Sequence, residues 1–321
     1  MEKEFLPEGG LLDTAENRAY LSSPMGLERA MNTGEAVEGI ATRCDEALRL
    51  HVDLHCVHGI IEPEEAVFCR EGEARKDIAI LTRVGKPVSC RVTAIEHRDG
   101  ELIAHLSRRA VQRDCMAHYL RTLRAGDLLD ARVTHMEPFG AFLDIGCGVT
   151  SLLSVDAISV SRIAHPRERL ACGMHLPVIV RSVNPESERI YTTLKELLGT
   201  WEENVKGFEA GQTVTGIVRS VESYGVFVEL TPNLAGLAEV RAEEAEFLKG
   251  RIGQSVAVYV KSISPERMKI KLVLIDPYCT GEPPRSALRF FSGTEKTKHI
   301  DVWRYSPDVA YRTVETRFDN T

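Results

Sequence analysis

Phe139 and Phe142 flank Gly140 in EPFGAFLDIG (137–146), and Tyr224 and Phe227 flank Gly225 in ESYGVFVELT (222–231). In a chain with only 6% aromatic residues, two such pairs invite a chemical reading. A ring on a wet surface can stack on any nucleobase, worth about 1–3 kcal/mol per base. The competing reading is that the rings seal a domain surface against a helix. Cations nearby offer phosphate contacts or simply solvated strand faces: Arg219 and Lys261, with Arg132 and Arg181 in the matching places of the other segment. Arg108, Arg109, Arg113, Arg121 and Arg124 stand in the same balance. HVDLHCVH (51–58) gathers zinc-ligand types, but residues alternating along one strand do not close a tetrahedron, so these are expected as surface polar groups and no metal is expected. No Walker loop, nucleophile elbow or H-E-x-x-H is present, and neither catalysis nor a cofactor is expected.

The chain has 321 residues, a formal net charge of −7 and 43% hydrophobic residues. That composition is globular. The excess acid argues against a general nucleic-acid binder. It is concentrated toward the N-terminus, however, and the two aromatic segments are close to neutral. Eight cysteines without a C-x-x-C pair fit reduced, mostly buried thiols. No apolar run spans a membrane and the N-terminus lacks a signal core, which predicts a cytoplasmic protein.

An internal repeat organises the chain. The stretches starting GDLLDARV at Gly126 and GQTVTGIV at Gly211 align without a gap. So do the later halves starting at Gly173 and Gly253, and a weaker copy begins at Gly34 and Gly85. Each copy reads as five short strands, in the second roughly 127–136, 140–145, 149–153, 174–183 and 188–194. The expected fold is mainly β: three tandem five-stranded OB-fold barrels joined by short α-helical linkers. The expected division is a partly disordered tail 1–32, domains 33–107, 124–194 and 210–276, helical linkers 108–123 and 195–209, and an extension 277–321, also partly disordered. An apolar stripe makes 194–208 read as one helical face, with Trp201 and Phe208 on a neighbouring barrel.

Alternation sorts the second strand of each barrel. Ala141, Leu143 and Ile145 match Val226, Val228 and Leu230 and face inward. Phe142 shares a face with Asp144, and Phe227 with Glu229, so that face should be wet. A bulge at Gly140 and Gly225 would bring Phe139 and Tyr224 onto it. Single-stranded nucleic acid would then cross strands two and three.

The pattern G-x-x-x-x-x-x-V-x-x-x-x-x-[FY]-G-x-F-[VL]-[DE] in the second and third copies closely resembles the S1 RNA-binding motif. Three tandem copies resemble the bacterial ribosomal protein S1 family, and KELLGTWEEN and VELTPNLAGL are similar to its short Gram-positive members. The resemblance implies a non-catalytic protein of the translation machinery. It would bind single-stranded mRNA and the small ribosomal subunit, with the first domain a candidate for the ribosome contact, and be a monomer off the ribosome. An accessory role in RNA decay or transcription is the alternative. Carried over residue by residue, the family's RNA contacts fall on Phe139, Phe142, Arg189, Ser154 and Asn184, and on Tyr224, Phe227 and Lys269. Ser154 and Glu239 stand where the family has histidine, and Asn184 and Ser264 where it has aspartate. The first copy offers only Leu48, His51 and Glu101 at the aromatic and arginine positions, and a spacer role competes with docking there.

Overall fold

The computed structural model describes residues 5–70, 72–98, 100–276, 288–291 and 298–318. The chain enters through two helices, α1 (Ala15–Leu21) and α2 (Pro24–Thr33), capped by Thr14 and Ser23. Tyr20, Leu21, Leu27 and Ala30 bury into the first barrel. Asn17 pairs through both its amide atoms with the backbone of Glu38, at 3.0 and 2.9 Å. Residues 5–32 of the tail expected to be partly disordered therefore form an ordered cap. Asp13, Glu16, Arg18, Glu28 and Arg29 lie on its outer face, Glu8 is buried, and four apolar side chains cover the barrel.

The first barrel comprises β1 (Ala36–Cys44), β2 (Leu50–Asp53), β3 (His58–Ile61), α3 (Asp77–Leu81), β4 (Pro87–Arg98) and β5 (Glu101–Ser107). Helix α4 (Arg108–Thr122), N-capped by Ser107, follows. The second barrel holds β6 (Leu128–Glu137), β7 (Gly140–Asp144), β8 (Thr150–Ser154), β9 (His175–Asn184) and β10 (Arg189–Thr193), each end within a residue or two of the sequence expectation. The connector to the third barrel is not one helix. It is a 3-10 turn at Lys195–Leu198, then α5 (Trp201–Val205), broken by Gly199 at φ +86° and restarted by the Thr200 capping box. The third barrel has β11 (Thr213–Glu222), β12 (Gly225–Thr231), β13 (Leu234–Ala238), α6 (Ala242–Lys249), β14 (Ser255–Ser264) and β15 (Lys269–Asp276). A small hairpin, β16 (Val302–Arg304) with β17 (Glu315–Arg317), ends the described chain.

All three barrels close in one order: first, second, third, fifth and fourth strand, with the third and fifth parallel. Closure leaves no open edge to pair with another chain. The first barrel has its own core, whereas the second and third share a continuous one that includes Trp201, Trp303 and Tyr305. Of the seven described cysteines, all free, only Cys90, Cys115 and Cys147 are fully buried, fewer than expected. No helix among the described residues is long and apolar enough to cross a membrane.

Two strands of chain tie the barrels together. Residues 5–12 run between the first and second: the amides of Gly9, Leu11 and Leu12 donate to the Glu38 carboxylate, and Cys147 N donates to Leu6 O at 2.8 Å. Residues 298–318 run from the second to the third. Ile300 N donates to Gly126 O, Trp201 N donates to Tyr305 O, and the Tyr305 hydroxyl donates to Asn233 O. Within the expected extension, 277–287, 292–297 and 319–321 lie outside the described residues, as does Cys279. The parts that are described are ordered.

Candidate nucleic-acid interface

β6 and β7 form a tight hairpin, Glu137 opposite Gly140, whose two turn residues are Pro138 and Phe139. The ring of Phe139 projects from that turn, 56% exposed, and stands edge-on to half-buried Phe142 with centroids 6.0 Å apart. The third barrel repeats the arrangement: Tyr224 lies in the turn, 62% exposed, 6.2 Å from Phe227. The pairing predicted from spacing is present, but a bulge at the glycine is not its cause. The hairpin turn itself carries the first ring to the outer face. The register shifts lie on the partner strands, at Thr134 and Arg219. The glycines serve close approach instead: a Cβ on Gly140 would sit 2.6 Å from Leu153 O, and one on Gly225 2.6 Å from Ala238 O.

The carboxylates expected beside the rings on the wet face are buried. Asp144 accepts amide bonds from Glu8, Gly146 and Gly148 at 2.7–2.9 Å. Burial, and then the neighbouring Glu8 carboxylate, push its carboxyl up to about 7 against those donors. Glu229 accepts from Arg169 and from Arg219. Both point away from their barrel interior, as alternation required, but another segment covers each. Arg219 is thereby spent: it pairs with Glu229 and Glu168 and its side chain is 7% exposed, which removes it from the expected phosphate contacts. Arg132 is half-buried and donates to Glu8 O at 2.8 Å, and Arg108 is buried against Glu8.

The remaining positions gather near the rings. On the second barrel Phe142 sits in a row of register partners: His135 on β6, Phe142 on β7, Leu152 on β8, Tyr191 on β10 and Ser182 on β9. Arg189 is exposed and faces Asn184 across β9–β10. The Asn184 side chain accepts from Ser187 N and so shapes the turn between them. Ser154 pairs with Gly140, next to the hairpin, and its hydroxyl helps hold the Asp156 carboxyl below its ordinary value. The corresponding row on the third barrel is Ser220, Phe227, Leu237, Lys271 and Ser262. Lys269, opposite Ser264, and Lys261, at a register shift in β14, are exposed.

His135 and Tyr191 were missed from sequence. His135 lies nearly parallel to Phe142 with centroids 6.1 Å apart, a third ring beside the pair. Both are aromatic-type residues at register positions opposite the recognised face, a signal that strand pairing would have supplied. In the first barrel the same row reads Arg43, His51, Ile60, His105 and Ala94. His51, expected at the surface, is buried with its ring nitrogens 2.7 Å from His58 and 3.2 Å from Asp45. Burial, and then His51 and Arg43, hold His58 below its usual pKa. Such a row offers no free ring. Among the described residues, no group of three or more metal-ligating side chains is arranged to hold an ion.

Residues 122–195 match the S1 RNA binding domain. The chain is 30% identical over 198 residues to small ribosomal subunit protein bS1 of Staphylococcus aureus strain COL, and 32% identical to that of Staphylococcus epidermidis. Each match covers 59% of this chain and 50% of the relative. The chain thus spans about half the length of the curated relatives it matches. Among solved structures, a multidomain protein with nucleic acid binding domains from Streptococcus pneumoniae aligns over 75% of this chain and 73% of its own, at 17% identity and a TM-score of 0.23.

Proposed function

We propose, from the premise that this chain is a homologue of bacterial ribosomal protein S1, that it binds single-stranded RNA on the outer faces of its second and third barrels. It would serve the translation machinery as a non-catalytic, cytoplasmic, monomeric holder of mRNA on the small ribosomal subunit. The observation that carries the reading is the repeated edge-to-face ring pair, its first ring exposed and its second half-buried: Phe139 with Phe142 and Tyr224 with Phe227. Rings in such a place accept bases of any sequence. Arg189, Asn184 and Ser154 on one barrel, and Lys261 and Lys269 on the other, supply the polar and cationic surround. The first barrel, whose row is histidine-rich and tied up, is assigned to protein contact with the ribosome.

Fluorescence anisotropy with an unstructured oligoribonucleotide tests the reading. Phe142→Ala and Phe227→Ala should each weaken binding by about 1–3 kcal/mol, with circular dichroism unchanged. Equal affinity in wild type and the double variant would refute it. Sedimentation with ribosomal subunits at low and high salt tests the ribosomal assignment separately. Co-purification with a nuclease or polymerase instead would favour RNA decay or transcription.

A further inference from the structure

We infer that the first barrel supplies half of a phosphate site on the RNA face of the second, and that Glu73 occupies this site when RNA is absent. The inference rests on the stacking face proposed above. The chain between β3 and α3 leaves the first barrel and lies against the second. It is anchored by Phe68 N donating to Gln112 Oε1 at 2.9 Å and by Arg70 Nε donating to Glu188 O, in the β9–β10 turn, at 3.0 Å. Arg70 thereby enters the cleft that Phe142, Leu152, Arg189 and Tyr191 line.

The Glu73 carboxylate bridges the two guanidiniums of that cleft: Oε2 is 3.5 Å from Arg70 Nη1 and Oε1 is 3.6 Å from Arg189 Nη2. Both distances exceed a good hydrogen bond. The side chains of Glu73 and Arg189 are about half exposed, at 47% and 53%. Exposed pairs of this kind contribute little. A phosphodiester presents the same two-oxygen anion and can draw both guanidiniums to charge-assisted bonding length. Its base would then lie over Phe142 and Tyr191. The Glu73 carboxylate is a resident competitor that a backbone phosphate displaces into solvent. Barrel one is accordingly part of the RNA site, although its own row of side chains is unsuited to stacking.

The test uses the full chain in a Phe227→Ala background, which weakens the third barrel's share of binding, and fluorescein-labelled oligouridylate. Arg70→Gln should weaken binding about three- to tenfold and flatten the salt dependence by roughly one phosphate contact. Glu73→Gln should tighten binding about threefold, with the gain lost once Arg70 is also Gln. Unchanged affinity in both variants, alongside a weakened Phe142→Ala, overturns the composite site and leaves the stacking face standing. Unchanged affinity in Phe142→Ala, with Arg70→Gln and Glu73→Gln behaving as expected, keeps the phosphate site and overturns the stacking reading. Weakened or unchanged binding in Glu73→Gln, which removes no hydrogen bond of the fold, refutes the competitor role even if Arg70→Gln disturbs the loop.

Discussion

At position 239 the third barrel carries an exposed carboxylate where the second carries Ser154, one residue beyond the Val226–Ala238 pair and beside the Tyr224 turn. The two barrels share a ring pair but differ in what surrounds it. The second adds His135 and Tyr191 to Phe142, whereas the third has Ser220 and Lys271 in those places. On the proposed reading the third would draw more of its affinity from lysine–phosphate attraction, and Glu239 would oppose that term directly. Glu239→Gln, measured in a Phe142→Ala background, should tighten single-strand binding about threefold at low salt. The gain should vanish near 1 M salt, where the screening length falls to about 3 Å. A gain that persists there would mean a contact other than charge repulsion.

Among elements, the strands were legible because period-two alternation reports which side chains fill a barrel, and Ala141, Leu143, Val226 and Val228 do so. What lies beyond the barrel wall was not legible. Asp144 and Glu229 face outward, yet Glu8 and Arg169, distant in sequence, cover them, and no local pattern announces such a cover. The ring pairs could be found because both members sit in one hairpin; the place of Arg70 in the cleft beside Arg189 could not, because it crosses between barrels. The C-terminal strap is a similar case. His299 sits between Asp127, at 2.6 Å, and Asp301, at 3.2 Å, and their carboxylates, Asp127 foremost, raise its pKa. A raised histidine stabilises the folded arrangement fully below its unfolded value of about 6.5 and loses that contribution as pH rises through the folded value. Hydrogen exchange at the amides of Leu128 and Ile300, which bond Lys298 O and Gly126 O, should accelerate across that window beyond the intrinsic base-catalysed increase. His299→Gln should abolish the excess. An excess of equal size in the variant would show that the strap is held without the imidazolium.

For the whole molecule, one buried glutamate, Glu8, sits at the seam between the first two barrels. Arg108 donates through Nε and Nη2 to the two oxygens of Glu8 at 2.6 and 2.9 Å, and both side chains are only 4% exposed. Burial alone would raise the Glu8 carboxyl, but Arg108 and then Arg83 outweigh it and hold it below its ordinary value. Its contribution is therefore present above the unfolded value of about 4.5 and lost as pH falls through the folded one. Asp144 runs the other way: raised to about 7, it favours the fold in acid and loses that contribution as pH climbs through 7. Glu8→Ala would leave Arg108 buried without its counter-ion, at a cost of about 3–5 kcal/mol. Because the first barrel has a separate core, that loss should fall on the seam and on the first barrel ahead of the rest. Both tryptophans, Trp201 and Trp303, lie in the core shared by the second and third barrels, so their fluorescence reports on that part alone. In urea, far-ultraviolet circular dichroism of Glu8→Ala should show an early transition that tryptophan fluorescence does not follow. Binding through the second barrel should also weaken in the same variant, as Arg70 is carried away with the first. A single transition seen identically by both probes, at the wild-type midpoint, would mean that the barrels are joined by something other than this ion pair.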